Sequence, residues 1–248
     1  MKSQRPRILL LSFVFIASGF ITQGFSGELR TFKNQNGQTI RAEVESVDGA
    51  YAEIRREDGR KFTIVIETLS QEDQEFLAVW AVGQVVGNER LFDIAARRSD
   101  ENETRSDGSG IVTESRDGFY EIEMSNRTGN NLEGLELNWL VRIEETRAGG
   151  NSKDRKTEKW ENGKVKDFSI EDREEKEWKT DSFPLKETSL KSGYYWIGGA
   201  PGVSRDKLDG FYLAVVIDGR VVRDYAMPSG FLEDAREYAQ ENKRSTGE

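Results

Sequence analysis

Short runs of strict two-residue alternation, cut at close intervals by Asp-Gly pairs, constrain this chain more than any other feature of its sequence. Between Thr39 and Val47, Ile40, Ala42 and Val44 fall on one face and Arg41, Glu43 and Glu45 on the other. Alternation of this kind is the signature of a half-buried strand. Val47 breaks the phase, which predicts a bulge before the turn. Asp48-Gly49 and Asp58-Gly59 supply the positive φ of tight hairpins and bracket a second strand over Tyr51–Arg56, with Ala52 and Ile54 inward. Phe62, Ile64 and Ile66 make the inward row of the next. Ser70 followed by Asp73 then predicts a helix start with an Asp variant of the capping box, and Phe76, Leu77 and Trp80 are its buried side. Short strands, hairpin turns and a terminal helix describe a small barrel that curls to avoid free edges.

Arg30, Thr31, Phe32, Gly37, Ile40, Ala42, Glu43, Asp48, Gly49, Asp58, Gly59, Leu69, Ser70 and Asp73 fall where a known pattern places them. On these residues the stretch from Leu29 to Trp80 resembles the Sla homology domain, an SH3-like barrel of a eukaryotic endocytic adaptor that recurs in bacterial secreted proteins. The matched residues are turn, core and cap residues, so the resemblance implies a fold and carries no activity with it. The eukaryotic member binds a short sorting peptide, but its peptide-contacting residues have no identifiable counterparts here.

Ahead of the barrel, Lys2, Arg5 and Arg7 precede an apolar run from Ile8 to Ile21 and small residues at Gly24, Ser26 and Gly27. That order is the order of a secretory signal, expected over residues 1–27. The competing reading is an uncleaved anchor. Cysteine and histidine are both absent. Disulfides, thiol nucleophiles, a lipid anchor on a mature Cys, imidazole-based zinc sites and histidine-dependent catalytic triads are thereby excluded. The net charge of −9 becomes −12 once residues 1–27, which hold three basic residues and no acid, are removed. Such a chain is a poor match for nucleic acid or anionic lipid.

Beyond the barrel (residues 28–82), residues 83–110 read as a linker with a first edge strand, ending in a polar loop over Ser99–Gly110. Residues 111–230 read as a β-sandwich. Leu135, Leu137, Trp139, Val141 and Ile143 share one face of a long strand with a central Trp, as in the core of an immunoglobulin-like or fibronectin-like sandwich. The pair formed with Phe119–Ser125 resembles the second and third strands of such a fold. The Tyr194–Trp196 cluster and the Phe211–Ala226 hairpin are similar to C-terminal sandwiches that accompany these barrels in bacterial envelope proteins. Residues 231–248 read as a charged tail, with a short helix from Leu232 that then frays. The expected fold class is therefore mostly β: a signal peptide, a small SH3-like barrel with a short helix, then an Ig/fibronectin-like β-sandwich.

The expected function is non-catalytic. No catalytic, cofactor-binding or metal-binding residues stand out, and Ser189-Leu190-Lys191 has the wrong spacing for serine–lysine chemistry. A secreted or periplasmic binding or scaffold protein is expected, free of the membrane once the signal is cleaved. Its barrel would take a peptide or protein partner at Phe32, Tyr51 and Trp80, against the competing reading that Phe32 and Trp80 are core. The alternative is polysaccharide binding by a row of sandwich aromatics: Trp160, Trp178, Tyr194, Tyr195 and Trp196.

Overall fold

A computed structural model describes residues 29–147, 155–195 and 203–246. The expected signal segment lies outside these residues. The described chain is mostly β, with 64% strand against 16% helix.

The first sheet is the antiparallel meander β1 (Arg30–Lys33), β2 (Thr39–Asp48), β3 (Tyr51–Arg56) and β4 (Lys61–Val65). Gly49 and Gly59 take positive φ at the two Asp-Gly turns. The β2–β3 register slips between Val44 and Ser46, a bulge that returns Val47 to the buried face. A single 3₁₀ turn over Ile66–Thr68 then sends the chain back to β1. The Gln35 amide donates to the Thr68 carbonyl at 2.9 Å, and the Ser70 amide to the Lys33 carbonyl at 2.7 Å. These bonds close the sheet into a small barrel around Phe32, Ala42, Val44, Val47, Ala52, Ile54 and Leu69.

Helix α1 (Gln71–Val86) begins where the Ser-x-x-Asp spacing places it. The cap differs from a reciprocal box because the Ser70 amide is already spent on Lys33. Ser70 Oγ donates to the Asp73 carboxylate at 2.8 Å. That carboxylate also accepts from the Lys33 amide at 2.8 Å and from Arg30 Nε at 3.1 Å. The shorter Asp side chain thus stitches the helix start to β1.

The helix takes up the first residues of the segment expected as a linker with a first edge strand over 83–110. Its Leu77, Trp80 and Ala81 complete the barrel core, while Val85 and Val86 enter the core of the second unit. The polar Ser99–Asp107 segment is not a loop but the second half of β5 (Phe92–Asp107), paired with β6 (Ile111–Asn126) from Phe92↔Asn126 to Asp107↔Val112. Both faces of this half are wet, so the strand forms without apolar alternation. Backbone pairing and cross-strand ion pairs such as Arg105–Glu114 at 3.1 Å hold it.

The remaining strands are β7 (Leu132–Arg147), β8 (Arg155–Ile170), β9 (Glu175–Lys179), β10 (Phe183–Leu190), β11 (Val203–Ile217) and β12 (Arg220–Met227). Pairing gives one leaf β5-β6-β9 and a second β12-β11-β7-β8. β6 and β7 lie in opposite leaves, as the second and third strands of an immunoglobulin-like sandwich do. β10 departs from a simple sandwich. It continues β9 along β6, from Phe183↔Gly118 to Leu190↔Ile111, and also pairs with the start of β11 at Glu187↔Arg205. At that end the two leaves are one continuous sheet.

Between the leaves, Tyr120 stacks on Phe211 at 4.9 Å, and Trp139 packs against Trp178 at 6.3 Å and Phe183 at 6.2 Å. Tyr120 is fully buried. Desolvation pushes its phenol from 10.0 up to about 12, with the Arg98 guanidinium partly opposing the shift. Because the folded value is the higher one, the contribution of neutral Tyr120 is whole below pH 10 and is lost as pH rises from about 10 to 12. A rise from 10.0 to about 12 corresponds to about 2–3 kcal/mol. Urea unfolding across pH 9–12 should therefore show a decline that Tyr120→Phe makes shallower; an unchanged slope would contradict this burial effect.

The short helix expected at the start of the charged tail forms, and it is docked on the sheet. Helix α2 (Leu232–Thr246) lies on the outer face of the second leaf. Phe231 and Ala235 bury against Leu140, Tyr212, Ala214 and Val216. Arg142 pins the helix in place, 2.9 Å from Asp234, 2.7 Å from Asp209 and over the Phe231 ring at 4.8 Å.

Candidate functional site

The three barrel residues singled out by sequence do not converge. Phe32 and Trp80 are core, 1% and 4% exposed, because the barrel closes around the first and α1 lays the second against it. A groove built from all three rings is thereby corrected. Tyr51 alone faces solvent, at 54%.

Tyr51 has different company from that expected. Its direct cross-strand partner is Val65, also exposed, and Phe62 is exposed near the other end of β4. Phe62 sits opposite the buried Ile54. Its ring opens to solvent because β4 is the last strand of the meander and the chain leaves it at the 3₁₀ turn. Among the described residues β4 pairs only with β3, so a row of backbone donors and acceptors stays open along its outer edge.

Charges flank this edge. Lys61 pairs with Glu45 at 2.7 Å and Arg55 with Glu45 at 3.3 Å. At the turn, Asp58 accepts from Arg56 and from Arg60, whose hydrogen bonds hold its carboxyl well below the usual carboxylate range. The edge is thus short, half-apolar and rimmed by both signs of charge. Val65 and Phe62 were not among the sequence candidates. The available signal was the Asp58-Gly59 pair, which closes the short turn over residues 57–59 with Gly59 at positive φ and so fixes register: the outward Tyr51 must face an outward residue near the end of the next strand.

The sandwich aromatics divide as well. Trp160 stacks on Tyr238 of α2 at 4.2 Å and on Phe231 at 5.4 Å, so the helix covers it. Trp178 is partly buried against Trp139. Tyr194 and Tyr195 are exposed, at 56% and 87%, with Tyr194 lying over Gly110. Trp196 lies outside the described residues. A flat row of five rings is therefore not formed: Trp160 and Trp178 serve packing.

Among the described residues no cluster of three or more Asp or Glu is placed to hold a metal ion, and no helix is long and apolar enough to cross a membrane. No family model matches the chain, and no curated protein matches it. Among solved structures, the Northeast Structural Genomics Consortium target SoR45 aligns at 7% identity over 56% of this chain and 86% of its own, with a TM-score of 0.25. A protein from Akkermansia muciniphila aligns at 10% identity over 54% of this chain and 70% of its own, with a TM-score of 0.17. Neither likeness bears on fold or function.

Proposed function

We propose that this chain is a non-catalytic extracytoplasmic binding or scaffold protein, exported by residues 1–27, whose barrel takes up an extended peptide as an added strand along β4. The barrel is read as an SH3-like unit of the Sla homology type. One observation carries the proposal: Tyr51 and its cross-strand partner Val65 are exposed together on one face beside the barrel's open edge strand, and Phe62 is exposed on that strand's other face. Main-chain bonding to such an edge supplies affinity, and flanking side chains supply selectivity. The sandwich is the rigid base, joined through the shared helix α1.

The test is selection of peptides from a random library on the protein from residue 28 onward. Selected peptides should bind Tyr51→Ala at least about tenfold more weakly, the loss expected of an aromatic anchor. N-methylation at alternate peptide residues should abolish binding, because it removes the ladder donors. Peptides that bind Tyr51→Ala and a Val65→Glu variant as well as the original chain would sink the proposal.

A second reading, polysaccharide binding by the sandwich, is favoured by the exposure of Tyr194 and Tyr195 alone. Retardation of the protein in gels containing soluble polysaccharide, lost on replacing both tyrosines with Ala, would establish it. Equal mobility with and without polysaccharide would remove it.

A further inference from the structure

A hollow of about 370 Å³ opens beside the junction where β10 joins the two leaves. It is lined by Arg98, Asp100 and Ser99 of β5, Arg116 of β6, Leu185 of β10 and Arg205, Lys207 and Leu208 of β11. Four cations and one carboxylate thus face a single concavity in a chain whose net charge is −9. Concave surfaces focus the field of the charges that line them.

The cations are not equally satisfied. Lys207 lies 3.3 Å from both Glu144 and Asp209, and Arg205 3.0 Å from Glu187. These pairs hold the two side chains at the rim. Arg116 Nε lies 3.3 Å from the Asp100 carboxylate, yet it is buried and makes no hydrogen bond. Arg98 is in ion-pair contact with no carboxylate among the described residues; its charge is felt instead by the buried Tyr120 hydroxyl. Two guanidiniums on neighbouring strands, one with a buried idle donor and one without a counter-charge, present the planar donor geometry that carboxylates and sulfates accept.

We infer that this hollow binds a small ligand carrying a carboxylate or sulfate group, of about the size of an acidic monosaccharide. The volume sits at the lower end of the range for small-molecule sites. Leu185 and Leu208 give it an apolar wall. Glu144, Glu187 and Asp209 offset the charges of Lys207 and Arg205 at the rim, so the anionic group of the ligand is drawn to Arg98 and Arg116. This site is separate from the β4 edge and does not depend on peptide binding there.

The test is calorimetric titration of the protein at low ionic strength with glucuronate, with inorganic sulfate and with glucose. Saturable binding of glucuronate is expected, weakened by added chloride and absent for glucose. Arg98→Gln and Arg116→Gln should each weaken it at least about tenfold, as expected for a lost hydrogen bond to a charged group. Tyr51→Ala should leave it unchanged. Sulfate binding as tightly as glucuronate would support the site as a receptor for the anionic group itself; tighter glucuronate binding would support recognition of the sugar as well. Arg98 is exposed, so its variant should melt with the original chain. Glucose binding as well as glucuronate, unchanged binding by both arginine variants, or no anion binding at about 10 mM ligand would overturn the inference.

Discussion

Trp139→Ala is expected to destabilise the protein by about 3–5 kcal/mol, the usual cost of deleting a buried indole from a core that closes only partly over the void. Trp139 is central to β7 and almost fully buried. Its ring meets Trp178 of one leaf and Phe183 of the strand that joins the leaves. Across the β7–β8 ladder it pairs with Gly163, where any side chain would collide with the indole. The ring therefore contacts both leaves and the joining strand at once. Guanidinium unfolding followed by far-ultraviolet circular dichroism gives the measurement. Trp139→Phe, which keeps an aromatic ring in the same slot, should lose clearly less. A loss below about 1 kcal/mol for the Ala variant would mean that the leaves do not share one core at this point.

Trp139 was legible in the sequence because one-sided alternation around a central Trp has few other meanings. The barrel was legible for a similar reason: Asp-Gly turns fix strand ends locally, and Val47 announced the bulge by falling out of phase. What resisted reading was decided by contacts between distant segments. Ser99–Asp107 has loop composition, and its strand conformation comes from residues 112–119 of β6 alongside. Which aromatics are exposed was equally hidden. Period-2 patterning assigns a side chain to a face without saying what covers that face. Phe32 is buried because residues 68–70 return to β1, and Trp160 is covered because α2 lies across it. Tyr51 stays exposed because no described segment packs over its face of the sheet. The basic hollow was the least legible feature, since its four cations lie on β5, β6 and β11 and meet only through the sandwich pairing.

Removal of residues 229–248 is expected to cost on the order of 5 kcal/mol or more and to leave an aggregation-prone chain. β11 carries the reason in its own sequence. Phe211, Leu213 and Val215 face the inner core, while the interleaved Tyr212, Ala214 and Val216 form the second, outer cluster. A strand apolar at every position is buried on both faces, so something must cover the outer one. α2 supplies that cover: Phe231 and Ala235 are buried there, with Leu232, Tyr238 and Ala239 packed against them. Burial of each large side chain is worth about 1.5–3 kcal/mol, and Arg142 would also lose Asp234. Without the helix, Leu140, Trp160, Tyr212 and Val216 would form one contiguous apolar patch of the kind that drives association. Light scattering should show association of the truncated chain, and an environment-sensitive dye should brighten on binding it. An intact monomer with an unchanged unfolding midpoint would make the helix a dispensable appendage. The milder Arg142→Ala would then be expected to have no effect, whereas a structural α2 requires it to loosen the same cluster.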